Sequence, residues 1–322
     1  MNGLDQLARE LPRAIDRPLA DDIDIARVGP YRGYRELVAR WHQLACDGAV
    51  RPRRIGHSAL GEPLFALDVG PDVAPATSVI LAGLHPIEWI GVETALALLE
   101  RLADDPPRDR VITIFPLINV DGFRQVEADL RAGRRRWRRS NARGVDLNRN
   151  WPTHFKPRSA RLARMLLGYN YGGPGPLSEP EIAAVVAVLD EIDQRGRIDV
   201  ALSMHSVGRM LLTPYGGIWR APRASPTLMR AVRSVQQRMA HPYRHRQSAR
   251  WVPGAFAHGM ELDHLHARYG ATAVLVECSA GGLRWTDRSS WLSPFRWFNP
   301  PEPGKTTTEL THALEPLVRG HF

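Results

Sequence analysis

Four side chains, from three separate stretches of the chain, are of the types and spacing that could share one reaction. In His85-Pro-Ile-Glu88 an imidazole and a carboxylate sit three residues apart, just after a short apolar run. Across a strand-to-helix turn both can reach one cation, and zinc accepts N and O donors at about 2.0 to 2.2 Å. Read alone, the pair is equally a hydrogen-bonded helix start. His205, in Leu202-Ser-Met-His205-Ser, follows another short apolar run and adds a third donor. Two imidazoles and one carboxylate leave the fourth position of a tetrahedral zinc open, which is the catalytic rather than the structural arrangement. By itself His205 is a strand-end histidine satisfied by hydrogen bonds. Glu277 closes Ala273-Val-Leu-Val-Glu277, where an unpartnered carboxylate is costly. Near a metal such a group can take a proton from the water the metal activates and hand it on. The plainer reading is a salt bridge to one of the many arginines.

Hydrophobic periodicity supplies the elements that must position these groups. The run 78–84 reads as a buried strand ending at His85, 87–102 as a helix and 110–116 as a second buried strand. A helix at 34–45 and strands at 53–57 and 64–69 precede them. Ser178-Glu-Pro-Glu starts a helix carried by 182–192, with proline early in the first turn. Strands follow at 198–204 and 210–213, helices at 227–239 and 261–269, a strand at 273–277 and a terminal helix at 308–317. The polar, arginine-rich segment 121–151 reads as a long functional loop. The candidate residues therefore stand at strand ends, the edge of an open α/β sheet where ligands bind. No repeat, composition break or Gly/Ser linker divides the chain, so 34–322 reads as one catalytic domain preceded by an N-terminal arm or cap at 1–33.

The 322 residues are 43% hydrophobic and 24% charged, which suits a substantial core and excludes disordered, collagen-like and disulfide-stapled classes. No apolar run approaches the roughly 18 residues of a membrane span, and no membrane partner is expected. Acids and arginines interrupt the first twenty residues where a secretory apolar stretch would lie, so cytoplasmic residence is expected. Cys46 and Cys278 can form at most one bridge. The net charge of +9 is almost wholly arginine, since Lys156 and Lys305 are the only lysines. The densest run, Arg131, Arg134, Arg135, Arg136, Arg138, Arg139 and Arg143, could contact phosphate backbone. With only Trp137 as an interleaved aromatic and no nucleic-acid module, a solvated loop is the preferred reading.

In order along the chain, His85-x-x-Glu88-Trp89, Trp137-Arg138, Gly144-Val-Asp-Leu-Asn-Arg-Asn-Trp151, Ser203-Met-His205-Ser, Pro214-Tyr-Gly216 and Glu277 resemble the zinc metallocarboxypeptidases of the carboxypeptidase A/B type. The resemblance extends from about Tyr34 to about Leu283. It implies a three-layer α/β/α domain around a mixed, mostly parallel eight-stranded sheet, with one zinc at its edge. It implies that His85, Glu88 and His205 bind the metal, that Asp146 orients His85, and that Glu277 is the general base and acid. Arg138 would stabilise the oxyanion, and Asn148 with Arg149 would hold a terminal carboxylate. Leu262 falls where the family places its side-chain pocket, implying an apolar C-terminal residue, while flanking Glu261 and Asp263 keep a basic one open. The chain departs from the family at Ile87, where many members carry arginine, at Val207, and at the substrate-capping tyrosine. That tyrosine falls in the segment from Trp251 to Phe256, which lacks a phenol; Tyr243 or Tyr269 could replace it. Too few residues precede the pattern for an inhibitory prodomain, so synthesis as an active enzyme is expected.

The leading expectation is hydrolysis of the C-terminal amino acid from peptides. The alternative is a zinc amidase or deacylase acting on N-acyl amino acids or cell-wall peptides, again with a free carboxylate on the substrate. A non-catalytic binding module is the third reading.

Overall fold

A computed structural model describes residues 30–157, 171–251, 256–283, 286 and 288–322. The first 29 residues of the N-terminal arm lie outside that set, as do 252–255 of the segment from Trp251 to Phe256. Tyr31, inside the arm as read from sequence, packs edge-on against Trp89 and Phe295 in the core.

Eight strands form one sheet: β1 Arg51–His57, β2 Pro63–Val69, β3 Ala76–Ala82, β4 Val111–Phe115, β5 Arg197–His205, β6 Met210–Thr213, β7 Arg244–Gln247 and β8 Thr272–Glu277. Their spatial order is β1-β2-β4-β3-β5-β8-β6-β7. Pairings β3–β4, β3–β5, β5–β8 and β6–β7 are parallel, and β1–β2, β2–β4 and β6–β8 antiparallel. Every residue of β3 and β8 is buried, because helices cover both faces and leave no polar side to alternate.

One face carries α1 (Tyr34–Cys46), α2 (Trp89–Asp104), α3 (Val120–Arg131), α5 (Ser225–Gln236) and α9 (Pro303–Val318), whose apolar stripes share one core cluster. The other carries α4 (Pro180–Arg195) and α6 (Glu261–Tyr269), packed in a second cluster that includes Trp151 and Phe115. Short helices α7 (Arg288–Trp291) and α8 (Pro294–Phe298) lie between α6 and α9 in the chain. This is the three-layer α/β/α domain with a mixed sheet. No helix among the described residues is long and apolar enough to cross a membrane. Both cysteines are free, Cys46 exposed and Cys278 buried.

Two elements differ from the sequence reading. The segment read as a loop from Asp121 begins with α3, capped by the Asn119 side chain accepting from the Gly122 amide at 3.0 Å. Val120, Phe123 and Val126 face the core, but so do Asp121, Glu127 and Asp129, and these acids mask the apolar period. Strand β7 (Arg-His-Arg-Gln) is a polar edge strand with no apolar alternation to announce it.

The topology places the site. From β3 the chain crosses to β4 on one side and later returns to β5 on the other, so the connections diverge at the carboxyl ends of β3 and β5. Such a switch point opens a crevice at the sheet edge. Gly91 lets α2 lie against β5 there: a Cβ on it would come within 2.9 Å of the Met204 carbonyl oxygen.

Candidate metal centre

His85 follows β3, His205 ends β5 and Glu277 ends β8, and the β5–β8 register sets His205 directly beside Glu277. Glu88 caps the N-terminal end of α2, which returns it toward the same edge. His85 Nδ1 lies 2.9 Å from Glu88 Oε1, and His205 Nδ1 lies 2.9 Å from Glu88 Oε2 and 3.1 Å from His85 Nδ1. The three residues are buried, with donor atoms all within 4.8 Å of one another. Donors of a tetrahedral zinc stand about 3.3 Å apart, so these three atoms already occupy near-ligand positions. The two facing Nδ1 atoms cannot both donate or both accept across 3.1 Å without cost, whereas one shared cation satisfies both. The donor set fits zinc.

The outer nitrogens of both imidazoles are held by buried carboxylates. His85 Nε2 is 3.2 Å from Asp146 Oδ1, and Asp146 in turn accepts the Asn148 amide and, at 2.8 Å, Arg139 Nε. His205 Nε2 is 3.1 Å from Glu261 Oε1. Such contacts fix the tautomer that leaves Nδ1 for the metal. Glu261 is fully buried on the first turn of α6, and its second oxygen has no hydrogen-bond partner among the described residues. Sequence alone marks Glu261 only as a neighbour of Leu262, its sole signal being an acid that opens a helix after Gly259-Met260.

Electrostatics separates the carboxylates. Burial opposes ionisation of Glu88, but His85 and the hydrogen bonds from His205 and His85 overcome it and hold the carboxyl well below its usual range. Asp146, equally buried, is also held low, chiefly by Arg139 and then His85. For His205, burial disfavours the cation, yet Glu261 and Glu88 raise it to about 10 in the absence of metal. Glu277 goes the other way: burial, then the charge of Glu88, push it up to about 8 against the opposing pull of His205 and Arg139. Its Oε2 is buried and without a partner among the described residues, a carboxyl poised to exchange a proton.

A cleft of about 350 Å³ opens over these groups, lined on its polar side by His85, Glu88, Arg139, Asn148, Arg149, His205 and Glu277. Asn148 places its amide nitrogen 3.4 Å from His205 Nε2, and its oxygen accepts the Glu261 amide. Arg149 lines the same cleft and donates to the Asn148 carbonyl. Two residues named from sequence are not there. Arg138 turns out of the cleft onto Asp129 and Gln125, at 2.5 and 3.0 Å, and its neighbour Arg139 lines the cleft instead, 4.0 Å from Glu88. The cause is Asp129, whose two oxygens take Arg134 and Arg138. Leu262 is fully buried in the α4/α6 core rather than in the cleft, whose apolar wall comes from Leu212, Met260, Leu275, Trp137 and Phe298. Neither acid beside it lines the cleft: Glu261 meets His205, and Asp263 accepts the Gly216 and Gly217 amides. Tyr243 and Tyr269 donate to the Cys278 carbonyl and to Asp190, so neither caps the site.

The sequence profile of the zinc carboxypeptidase family matches residues 38–283. The chain belongs to that family. It is 28% identical to carboxypeptidase A2 of Mus musculus over 206 residues, 58% of this chain and 47% of that protein. It is 32% identical to human carboxypeptidase A6 over 203 residues, 58% of this chain and 45% of the relative. This zinc carboxypeptidase-family chain thus spans about half the length of the curated relatives it matches. Its fold is also that of carboxypeptidase A from Helicoverpa armigera, with a TM-score of 0.74 at 19% identity, covering 98% of this chain and 80% of that one.

Proposed function

We propose that this protein is a zinc metallocarboxypeptidase that hydrolyses the C-terminal amino acid from peptides. The observation that carries the reading is one cleft holding the His85-Glu88-His205 donor set, the buried carboxyl of Glu277, whose Oε2 has no hydrogen-bond partner among the described residues, and the Asn148-Arg149 pair. When bound, zinc supplies Lewis-acid polarisation of the scissile carbonyl and makes water a stronger acid. Arg149, with the Asn148 amide, takes the substrate's terminal carboxylate through charge-assisted hydrogen bonds. Glu277 accepts a proton from the attacking water and delivers it to the leaving amine, a task suited to a pKa near the working pH. Arg139 offers its guanidinium to the oxyanion, anchored by its bond to Asp146. The apolar wall of Leu212, Met260 and Leu275 favours an apolar C-terminal side chain.

Mass spectrometry on paired peptides with free and amidated C-termini tests the reading. Loss of one residue from the free acid, with the amide at least tenfold slower, is the expected result; equal cleavage removes the clamp from the mechanism. A second reading, an amidase or deacylase for N-acyl amino acids or cell-wall peptides, draws on one observation: no tyrosine lines the cleft among the described residues. Turnover of acyl amino acids with none of peptides would select it. Cytoplasmic residence belongs to the same proposal and is tested by cell fractionation.

A further inference from the structure

Part of the arginine run lies outside the cleft. Arg134, Arg135 and Arg136 form one wall of a recess of about 270 Å³, and Arg296 with the start of α8 forms the other. Among the described residues Asp129 is the only carboxylate lining it, and both its oxygens are taken by Arg134 and Arg138. Among the described residues no ion pair joins Arg135, Arg136 or Arg296 to an acid, and all three are exposed. Several like charges around one concavity focus a positive potential, and their planar forks match carboxylates.

The recess adjoins the candidate site. Trp137 follows Arg136 directly and packs on Phe298 at 5.1 Å and Trp297 at 6.2 Å, and both Trp137 and Phe298 line the cleft. Segments 133–137 and 293–298 are therefore the common wall of cleft and recess. The Asn148 amide nitrogen lies against His205 Nε2, whereas Ser206, the next residue along, donates its hydroxyl to the Phe298 carbonyl. To bring its upstream residues to the recess, a peptide held by its terminal carboxylate at Asn148 and Arg149 has to run past the metal ligands and leave by the Trp137-Phe298 side.

Resting on the carboxypeptidase reading, we propose that this recess is an exosite for acidic residues upstream of the scissile bond in peptide substrates. The test uses decapeptides sharing their last three residues, with Glu, Gln or Lys at the upstream positions, assayed for kcat/KM at 20 and 500 mM salt. Exposed ion pairs are individually weak, so three together give an acidic-over-neutral preference of about tenfold at low salt. The preference collapses at high salt. In a variant carrying Arg135→Gln, Arg136→Gln and Arg296→Gln, with circular dichroism verifying the fold, the Glu-to-Gln ratio falls toward one. A ratio of one in the parent enzyme, with neutral peptides still cleaved, overturns the exosite and leaves the carboxypeptidase reading standing. If no peptide is cleaved, that reading fails, and anisotropy of the labelled acidic peptide with an amidated C-terminus still tests the recess by its loss in the triple variant. Tighter, arginine-dependent binding of a single-stranded oligonucleotide than of the acidic peptide also overturns the proposal.

Discussion

Burial, then the charge of Glu88, push Glu277 up to about 8 against the pull of His205 and Arg139, while two imidazoles keep Glu88 ionised in the same cleft. That asymmetry separates a proton carrier from a ligand, and substitution distinguishes the two. Glu277→Gln should keep about one zinc per chain by metal analysis while initial rates fall by about 10²- to 10⁴-fold; loss of the metal would show that Glu277 is a ligand. Glu261→Gln should weaken zinc binding by about 10- to 100-fold in competition with a chromogenic chelator, because His205 loses its anionic brace. Unchanged affinity would limit Glu261 to packing. The cluster was legible in sequence because His85, His205 and Glu277 each end an apolar run, where strand direction fixes the edge they reach, and Glu88 follows His85 by three residues. Arg138 and Arg139 were not distinguishable: in irregular backbone no period dictates which of two adjacent guanidinia turns inward. Here the pairing of Arg138 with Asp129 decides it.

At the scale of elements, strands β3, β5 and β8 were readable because burial on both faces leaves uninterrupted apolar runs. Helix α3 was hidden by its buried acids, each held by a partner the sequence does not reveal. Asp121 accepts the Ser58 hydroxyl, Glu127 pairs with Arg131, and Asp129 with Arg134 and Arg138. The α2–β5 contact is the mechanical link between Glu88 and His205. Gly91→Val should push α2 away from the Met204 carbonyl and cost about 1 to 3 kcal/mol in chemical denaturation, as overpacking does. Zinc affinity should fall with it, since the displaced helix carries Glu88. A variant as stable and as metal-tight as the parent would mean that the helix is free to shift.

Across the whole molecule, acid stability reports on the face opposite α2. His264 on α6 is buried; burial, reinforced by Arg268 and opposed by Asp190, lowers it to about 4, and Thr153 meets its Nδ1 at 3.0 Å. Its folded pKa lies below the ordinary 6.5, so the neutral ring's contribution to stability is complete above about pH 6.5. It is lost as pH falls through 4. Urea denaturation at pH 7 and pH 4.5 should show His264→Asn losing less stability on acidification than the parent; equal losses would place the acid sensitivity elsewhere.

Glu88 and His205 are 117 positions apart yet share an oxygen-to-nitrogen distance of 2.9 Å, because β3 and β5 are neighbours in space and not in sequence. An ion gripped there staples the first third of the polypeptide to its middle. Nascent chains still lacking β5 hold only two of the three donors, His85 and Glu88, so tight capture of zinc waits until the central strands come together.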